Sequence, residues 1–115
     1  MTSTIACSFG DVFLVPFPFS DQTGSKSRPG VVVSSDAYHR HRSDAIIVAV
    51  TSQLRGSPGV GELAIARWAE AGLAQPSQLK PVMSTVDRRL LVRKLGRLHD
   101  EDVARLRELL TVILG

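Results

Sequence analysis

The sequence predicts a mainly β domain that ends in one α-helix, and three observations support this fold class. Short runs rich in Val, Ile and Phe alternate with polar or Gly/Pro segments at regular intervals, which is typical of antiparallel sheets. One of these runs, residues 45–50, is continuously apolar, so both faces of its strand need cover. The last segment has apolar residues at helical spacing. We therefore expect five or six short strands in a small antiparallel barrel or open sheet, followed by a helix.

The strands follow from composition, in order along the chain. The first is rich in Val and Phe but contains Pro16 and Pro18. Since proline cannot donate to a ladder, we expect this strand at a sheet edge or with a bulge. In the fourth, Leu63 and Ile65 share one face. The predicted strands span residues 9–19, 28–35, 44–51, 61–68, 78–86 and 91–98.

The segments between the strands are predicted to be loops and turns. Residues 1–8 form a loose leader, and the polar residues 20–27 form a flexible hairpin loop around Gly24. Residues 36–43 are a polar connection, in which we expect His39 and His41 to be solvated. A tight turn is predicted at 87–90.

The final helix is predicted from its start signal and its apolar spacing. His99 or Asp100 can cap its first turn, and acidic residues suit the positive end of the helix dipole. The apolar positions that follow helical spacing are Val103, Leu106, Leu109, Leu110 and Ile113.

Composition limits the function classes. The 115 residues carry a formal net charge of +3, a mild excess that permits a polyanionic partner. Cys7 is the only cysteine, so no internal disulfide forms, and we expect a small apolar filler in a cytoplasmic protein. The apolar run at 12–19 is too short to span a bilayer. The three histidines and one cysteine lack metal-ligand spacing, so neither a metal nor another cofactor is expected.

Four segments in order along the chain resemble the MazF/PemK family of toxin ribonucleases. A Leu-Gly-x-Leu stretch at 95–98 and the terminal helix follow them. The four segments are Gly10-Asp11-Val12, Arg28-Pro29-Gly30-Val31-Val32-Val33, Val50-Thr51-Ser52 and Ser84-Thr85-Val86-Asp87-Arg88-Arg89-Leu90.

The resemblance implies an SH3-like barrel with a C-terminal helix, the MazF/PemK/CcdB-like fold, with residues 1–115 as one domain. It also implies a homodimeric toxin of a type II toxin–antitoxin system that cleaves single-stranded RNA at short sequences and is neutralised by a cognate antitoxin. The residues that match the family's active-site Arg and Thr/Ser are Arg28 and Thr51.

RNA cleavage by these two residues needs no metal, because the 2′-hydroxyl beside the scissile phosphate is the nucleophile. The planar guanidinium of Arg28 matches two phosphate oxygens, and donors placed where charge develops usually give the largest catalytic effect. Thr51 can donate its hydroxyl from a side chain that is stiff at χ1. The products would be a 2′,3′-cyclic phosphate and a 5′-hydroxyl. The general base stays open, with proton transfer through Thr51 or solvent.

Further RNA contacts are predicted at Ser52, Lys26, Lys80 and Arg88, which can meet phosphates without reading sequence. An acidic, partly disordered antitoxin tail would lie over the same groove. Two other functions remain open. One is that of a CcdB-like toxin that binds DNA gyrase without catalysis. The other is that of an inert SH3-like interaction module, which would tolerate Arg28→Ala.

Overall fold

The computed structural model describes residues 6–16 and 27–115. Within them, six strands form one antiparallel sheet in the order β4-β5-β3-β2-β1-β6. A 3-10 turn at Arg88–Leu90 joins β5 to β6. The elements are β1 (Asp11–Pro16), β2 (Ser27–Val32), α1 (Asp36–His41), β3 (Asp44–Thr51), β4 (Leu63–Ala64), β5 (Gln78–Asp87), β6 (Arg93–Arg97) and α2 (Asp100–Leu114). The predicted mainly β fold with a C-terminal helix is confirmed, as a curled half-barrel with β4 and β6 at its edges.

The sheet buries side chains on both faces, in two separate clusters. On the central strand β3, Ile47 belongs to one cluster and Val48 to the other. Leu106 of α2 packs on the Val48 side and is fully buried. This division follows from the period of two along a strand, which sends neighbouring side chains to opposite faces. The expectation that residues 45–50 need cover on both faces is confirmed.

For the first strand the sequence predicted either an edge position or a bulge, and the structure has the second of these. β1 lies between β2 and β6 and is not an edge strand. The expected irregularity is present, because the register against β6 shifts between Val12 and Phe13. Pro16 ends the strand, where a missing N–H interrupts nothing further. Pro18 and most of the predicted 20–27 loop, including Lys26, lie outside the described residues, as do residues 1–5 of the leader.

The polar connection at 36–43 is a helix rather than a loop. Ser35 caps α1, since its hydroxyl accepts a hydrogen bond from the Tyr38 amide at 3.2 Å. His39 lies on the inner side of this helix and is only 8% exposed, so the expectation that it is solvated is wrong. His41 is exposed as predicted. Sequence alone suggested a loop because six residues are too few to show helical periodicity.

The predicted fourth strand at 61–68 is reduced to the two residues of β4. The residues after β4 bind to α2 and do not continue the strand, because the Asp102 carboxylate accepts hydrogen bonds from the amides of Ala66 and Arg67 at 3.0 and 2.8 Å. The chain then turns at Gly72, which has a φ of +86° and lies directly against the Leu95 carbonyl. A Cβ at this position would overlap that oxygen, so only glycine fits.

The remaining predicted elements agree closely with the structure. α2 begins at Asp100 with His99 as its N-cap, whose ring nitrogen accepts a hydrogen bond from the Glu101 amide at 3.1 Å. Cys7 is 7% exposed and fills a gap in the Ile47 cluster. Among the described residues, no helix has the length and apolar character needed to cross a membrane.

Candidate active site

The ends of β2 and β3 bring Arg28 and Thr51 to one position in the sheet. β2 pairs with β3 through Gly30 opposite Ala49. Continuing this antiparallel register by two residues places Arg28 opposite Thr51. Residues that are directly opposed in this way point to the same face, with Cβ atoms about 4.5–5.5 Å apart. Both side chains line one cleft of about 210 Å³; this cleft is the Arg28 compartment.

The environment of the two side chains leaves both able to act on a ligand. The Thr51 hydroxyl accepts a hydrogen bond from the Gln53 amide at 3.0 Å, which fixes its oxygen and keeps its proton available for donation. Arg28 is exposed, and within residues 6–16 and 27–115 its guanidinium forms no hydrogen bond or ion pair. The Arg28 compartment also contains Ser52, one of the predicted RNA-binding residues.

A second compartment continues the groove beyond Thr51. It measures about 370 Å³ and shares Thr51 and Gln53 with the first. We call it the Lys80 compartment, after a predicted RNA-binding residue that is exposed within it. Its lining consists of Thr51, Gln53, Arg55, Glu62, Gln78 and Lys80.

A bulge in β5 shapes this compartment. Val48 pairs with Met83 and Val50 pairs with Leu79, so three residues of β5 oppose the single residue between Val48 and Val50. The middle one of the three is Pro81, which has no N–H to give to the ladder. Bulges re-aim the side chains next to them, and here the adjacent side chain is Lys80.

Arg88 is the predicted site residue that the structure does not bring to the groove. It follows the end of β5 where Asp87 pairs with Asp44, whereas Gln78 pairs with Thr51 at the other end of the same ladder. Its guanidinium donates to the backbone carbonyls of His39 and Arg42, at 3.2 and 2.8 Å. Arg88 therefore holds the end of α1 in place.

Three residues that line the Lys80 compartment were missed by sequence reasoning: Gln53, Glu62 and Gln78. Gln78 is only 6% exposed and pairs with both Thr51 in β3 and Ala64 in β4. A buried amide beside a predicted catalytic residue is the one signal that could have identified it, and it requires knowledge of the register. Gln53 and Glu62 lie outside the strands and show no pattern in the sequence.

The described histidines lie away from both compartments. His39 is buried with Cys7 and Ser34, and the Ser34 hydroxyl lies 2.6 Å from its Nε2. Burial, assisted by the nearby Arg88 charge, lowers the pKa of His39, so the ring is neutral at pH 7. Among residues 6–16 and 27–115, no group of three His, Cys, Asp or Glu side chains is arranged to hold a metal ion.

Comparison with solved structures shows the same fold in bacterial toxins. A mycobacterial "endoribonuclease in complex with its cognate antitoxin" superposes with a TM-score of 0.73 at 21% identity, over 96% of each chain. Mycobacterium tuberculosis toxin MazF-mt6 gives 0.71 at 20% identity, over 90% of this chain and 94% of that one. MazF in a MazE–MazF crystal from Deinococcus radiodurans gives 0.67 at 23%, over 98% of both.

Sequence comparison identifies the family. A search of curated protein sequences gave no significant match. Residues 8–114, however, match the family model described as PemK-like, MazF-like toxin of type II toxin–antitoxin system. Because this match covers nearly the whole chain, the protein belongs to the PemK-like, MazF-like family of type II toxins.

Proposed function

We propose that this toxin is a sequence-specific, metal-independent endoribonuclease that cleaves single-stranded RNA, including mRNA. The observation that carries the proposal is that Arg28 and Thr51 line one cleft, and the β2–β3 register, continued two residues beyond Gly30 and Ala49, would place them opposite each other. The solved neighbours described as endoribonucleases support it, because they share the fold over almost the full chain. A gyrase-binding toxin has no need of a phosphate clamp at this position, so the nuclease is the better-supported function.

The proposed reaction uses the substrate's own nucleophile. The O2′–P bond forms and the P–O5′ bond breaks, giving a 2′,3′-cyclic phosphate and a 5′-hydroxyl end. The 2′-hydroxyl proton leaves through Thr51 or solvent, and a proton returns to O5′. Arg28 stays protonated and donates to the phosphorane oxygens, where negative charge develops. Thr51 donates to the same group and, with Arg28, holds it in line.

The other predicted contacts surround this centre. Ser52 lies beside the scissile phosphate, while Lys80 contacts a phosphate in the neighbouring compartment. Lys26 belongs to the segment that precedes β2 and is proposed to contact the RNA as well.

The proposed assembly is a cytoplasmic homodimer that a cognate antitoxin neutralises. The antitoxin's acidic segment would occupy the groove that RNA needs, since both ligands are polyanions. Antitoxin complexes are known for the solved neighbours, including MazE–MazF. Sedimentation should give twice the chain mass of 12.5 kDa, and a monomer at micromolar concentration would contradict the proposed homodimer.

Mapping RNA ends after incubation with the pure protein in EDTA tests the proposal. The wild type should release 5′-hydroxyl ends without added metal. Arg28→Ala should lower the cleavage rate about 100- to 1,000-fold while the fold persists, the loss expected for one charge-stabilising donor. Arg40→Ala is the matched control, because Arg40 is exposed on α1 and away from the groove. Strict metal dependence, or full activity of Arg28→Ala, would contradict the mechanism.

A further inference from the structure

The Lys80 compartment contains a side chain that phosphate binding does not explain. Glu62 places a carboxylate in a groove whose other charged lining residues, Arg55 and Lys80, are cationic. A carboxylate repels phosphate and lowers the affinity of the groove for any RNA backbone. The compartment is also larger than the Arg28 compartment, about 370 against 210 Å³. It has the size of a small-ligand pocket, which suits a base rather than only a backbone contact.

The Glu62 side chain is held in a defined position. Its Oε1 accepts a hydrogen bond from the Gly59 amide at 2.7 Å, and its own amide donates to the Gly59 carbonyl at 3.0 Å. Leu63, the next residue, pairs with Leu79 in the β4–β5 ladder. The carboxylate is therefore fixed between a closed turn and a strand, and a fixed acceptor loses little entropy when it binds a ligand.

The second carboxylate oxygen remains available. Continuing the β4–β5 register by one residue places Glu62 opposite Lys80, yet no ion pair joins the two. Within the described ranges, Oε2 accepts no hydrogen bond. An ionised carboxylate only accepts hydrogen bonds, so its natural partner in this compartment is a group with hydrogen-bond donors.

The Lys80 compartment lies directly beside the proposed reaction centre. Gln78 is buried, lines the same compartment and pairs with Thr51 in the ladder. The compartment therefore begins at the proposed catalytic hydroxyl. The base that enters it belongs to a nucleotide next to the scissile phosphate.

We propose that the Lys80 compartment binds a guanine base and that Glu62 is the specificity-determining residue that reads it. Guanine presents two adjacent donors, N1–H and the N2 amino group, on its Watson–Crick edge, the edge by which single-stranded RNA is usually read. Adenine and cytosine each present one amino donor beside a ring-nitrogen acceptor, and uracil presents a single N3–H donor between two carbonyl oxygens that the carboxylate repels. Lys80 and Arg55 hold the flanking phosphates. This inference rests on the proposed ribonuclease function and adds its base preference.

Cleavage of a randomised single-stranded RNA pool, with sequencing of the new ends, tests the inference. The wild type should enrich guanine at one fixed position beside the cut. Glu62→Gln keeps the side-chain size and leaves Oε1 for the Gly59 amide, but turns a donor toward the base. It should lower the preference for guanine over adenine about 10- to 100-fold, because cleavage of the guanine-containing sequence slows. Glu108→Gln, an equal charge change on the exposed face of α2, should leave the preference unaltered.

Inosine tests base recognition without any change to the protein, because it lacks only the N2 amino group of guanine. Placing inosine at the enriched position should slow the wild type by about tenfold and leave Glu62→Gln unaffected. Cleavage without guanine enrichment, or equal cleavage of inosine and guanine RNA, overturns the inference and leaves the ribonuclease intact. Loss of cleavage of every sequence in a folded Glu62→Gln places Glu62 in the chemistry and also overturns it. A wild type that cuts no RNA in the pool overturns both proposals.

Discussion

Asp102 is the residue whose replacement should most clearly loosen the wall of the groove. It is 1% exposed, and its two carboxylate oxygens accept hydrogen bonds from the amides of Ala66 and Arg67. Oδ1 also pairs with Arg105 at 3.1 Å. These bonds attach α2 to the segment after β4, which leads to the lining of the Arg28 compartment at 73–77. Asp102→Ala removes these bonds at once and leaves the hydrogen bond from Arg105 to the Ala64 carbonyl.

The expected loss follows from the number and type of these bonds. A hydrogen bond to a charged group contributes about 1.5–3 kcal/mol. The two from backbone amides are lost, together with the pair to the partly exposed Arg105, which adds little. The residues that donate the two amide bonds are exposed, so water replaces part of the loss, and the lower end, about 3 kcal/mol, is expected. For a domain of this size, about 4 °C per kcal/mol predicts a fall in Tm of roughly 12 °C. Asp102→Asn keeps one carbonyl oxygen and should lose about half as much.

Thermal and urea unfolding, followed by circular dichroism, measure this loss. Asp100→Ala is the matched control, since Asp100 lies in the same first turn but is exposed. It removes the same helix-dipole interaction, worth about 0.3–1 kcal/mol. If Asp102→Ala is no less stable than Asp100→Ala, the hydrogen bonds to the β4 segment contribute nothing and the reasoning is refuted.

Three further predictions follow from single contacts. Thr51→Val should lower the single-turnover rate of RNA cleavage about 100-fold, and Thr51→Ser should lower it much less. Equal rates for the two variants would show that the hydroxyl takes no part in the reaction. Gly72→Ala should prevent folding or greatly lower the Tm, because its Cβ would meet the Leu95 carbonyl; a normal melting curve would contradict this. His39 has a lowered pKa in the folded state, so the unfolded chain takes up a proton first and stability should fall below about pH 6.5. His39→Gln should flatten this fall in urea midpoints between pH 8 and 5, and an unchanged slope would exclude the histidine.

Much of the fold could be predicted because its signals are local. The strands at 44–51 and 78–86 and the final helix are continuous patterns, and the structure has them within one residue. The helix α1 and the shortened fourth strand could not be predicted. Each depends on a residue that is distant in the sequence. Arg88 donates a hydrogen bond to the end of α1, and Asp102 accepts one from the chain beyond β4.

The two halves of the groove differ in the same way. Arg28 lies at the start of β2, and Thr51 lies at the end of β3. Buried valines set the register of these two strands, since a slip of one residue would turn every apolar side chain to the wrong face. Motif and pattern together could therefore bring them to one cleft. The Lys80 compartment depends on the Pro81 bulge and on a strand of two residues. Neither feature has a sequence signal that fixes which side chains meet, so Glu62 and Gln78 could not be named.

The distribution of ion pairs explains how a net charge of only +3 could serve the proposed RNA groove. At the end of β3 and β5 away from the groove, Arg42 pairs with Asp44 and Arg89 pairs with Asp87, each at 2.8 Å. These contacts hold the pKa of both carboxyls at about 2, so the charges there cancel at any physiological pH. In the groove, Arg28, Arg55 and Lys80 have no carboxylate partner among the described residues. Pairing thus neutralises several cations outside the groove, while these three leave unpaired positive charge where a phosphate backbone would bind.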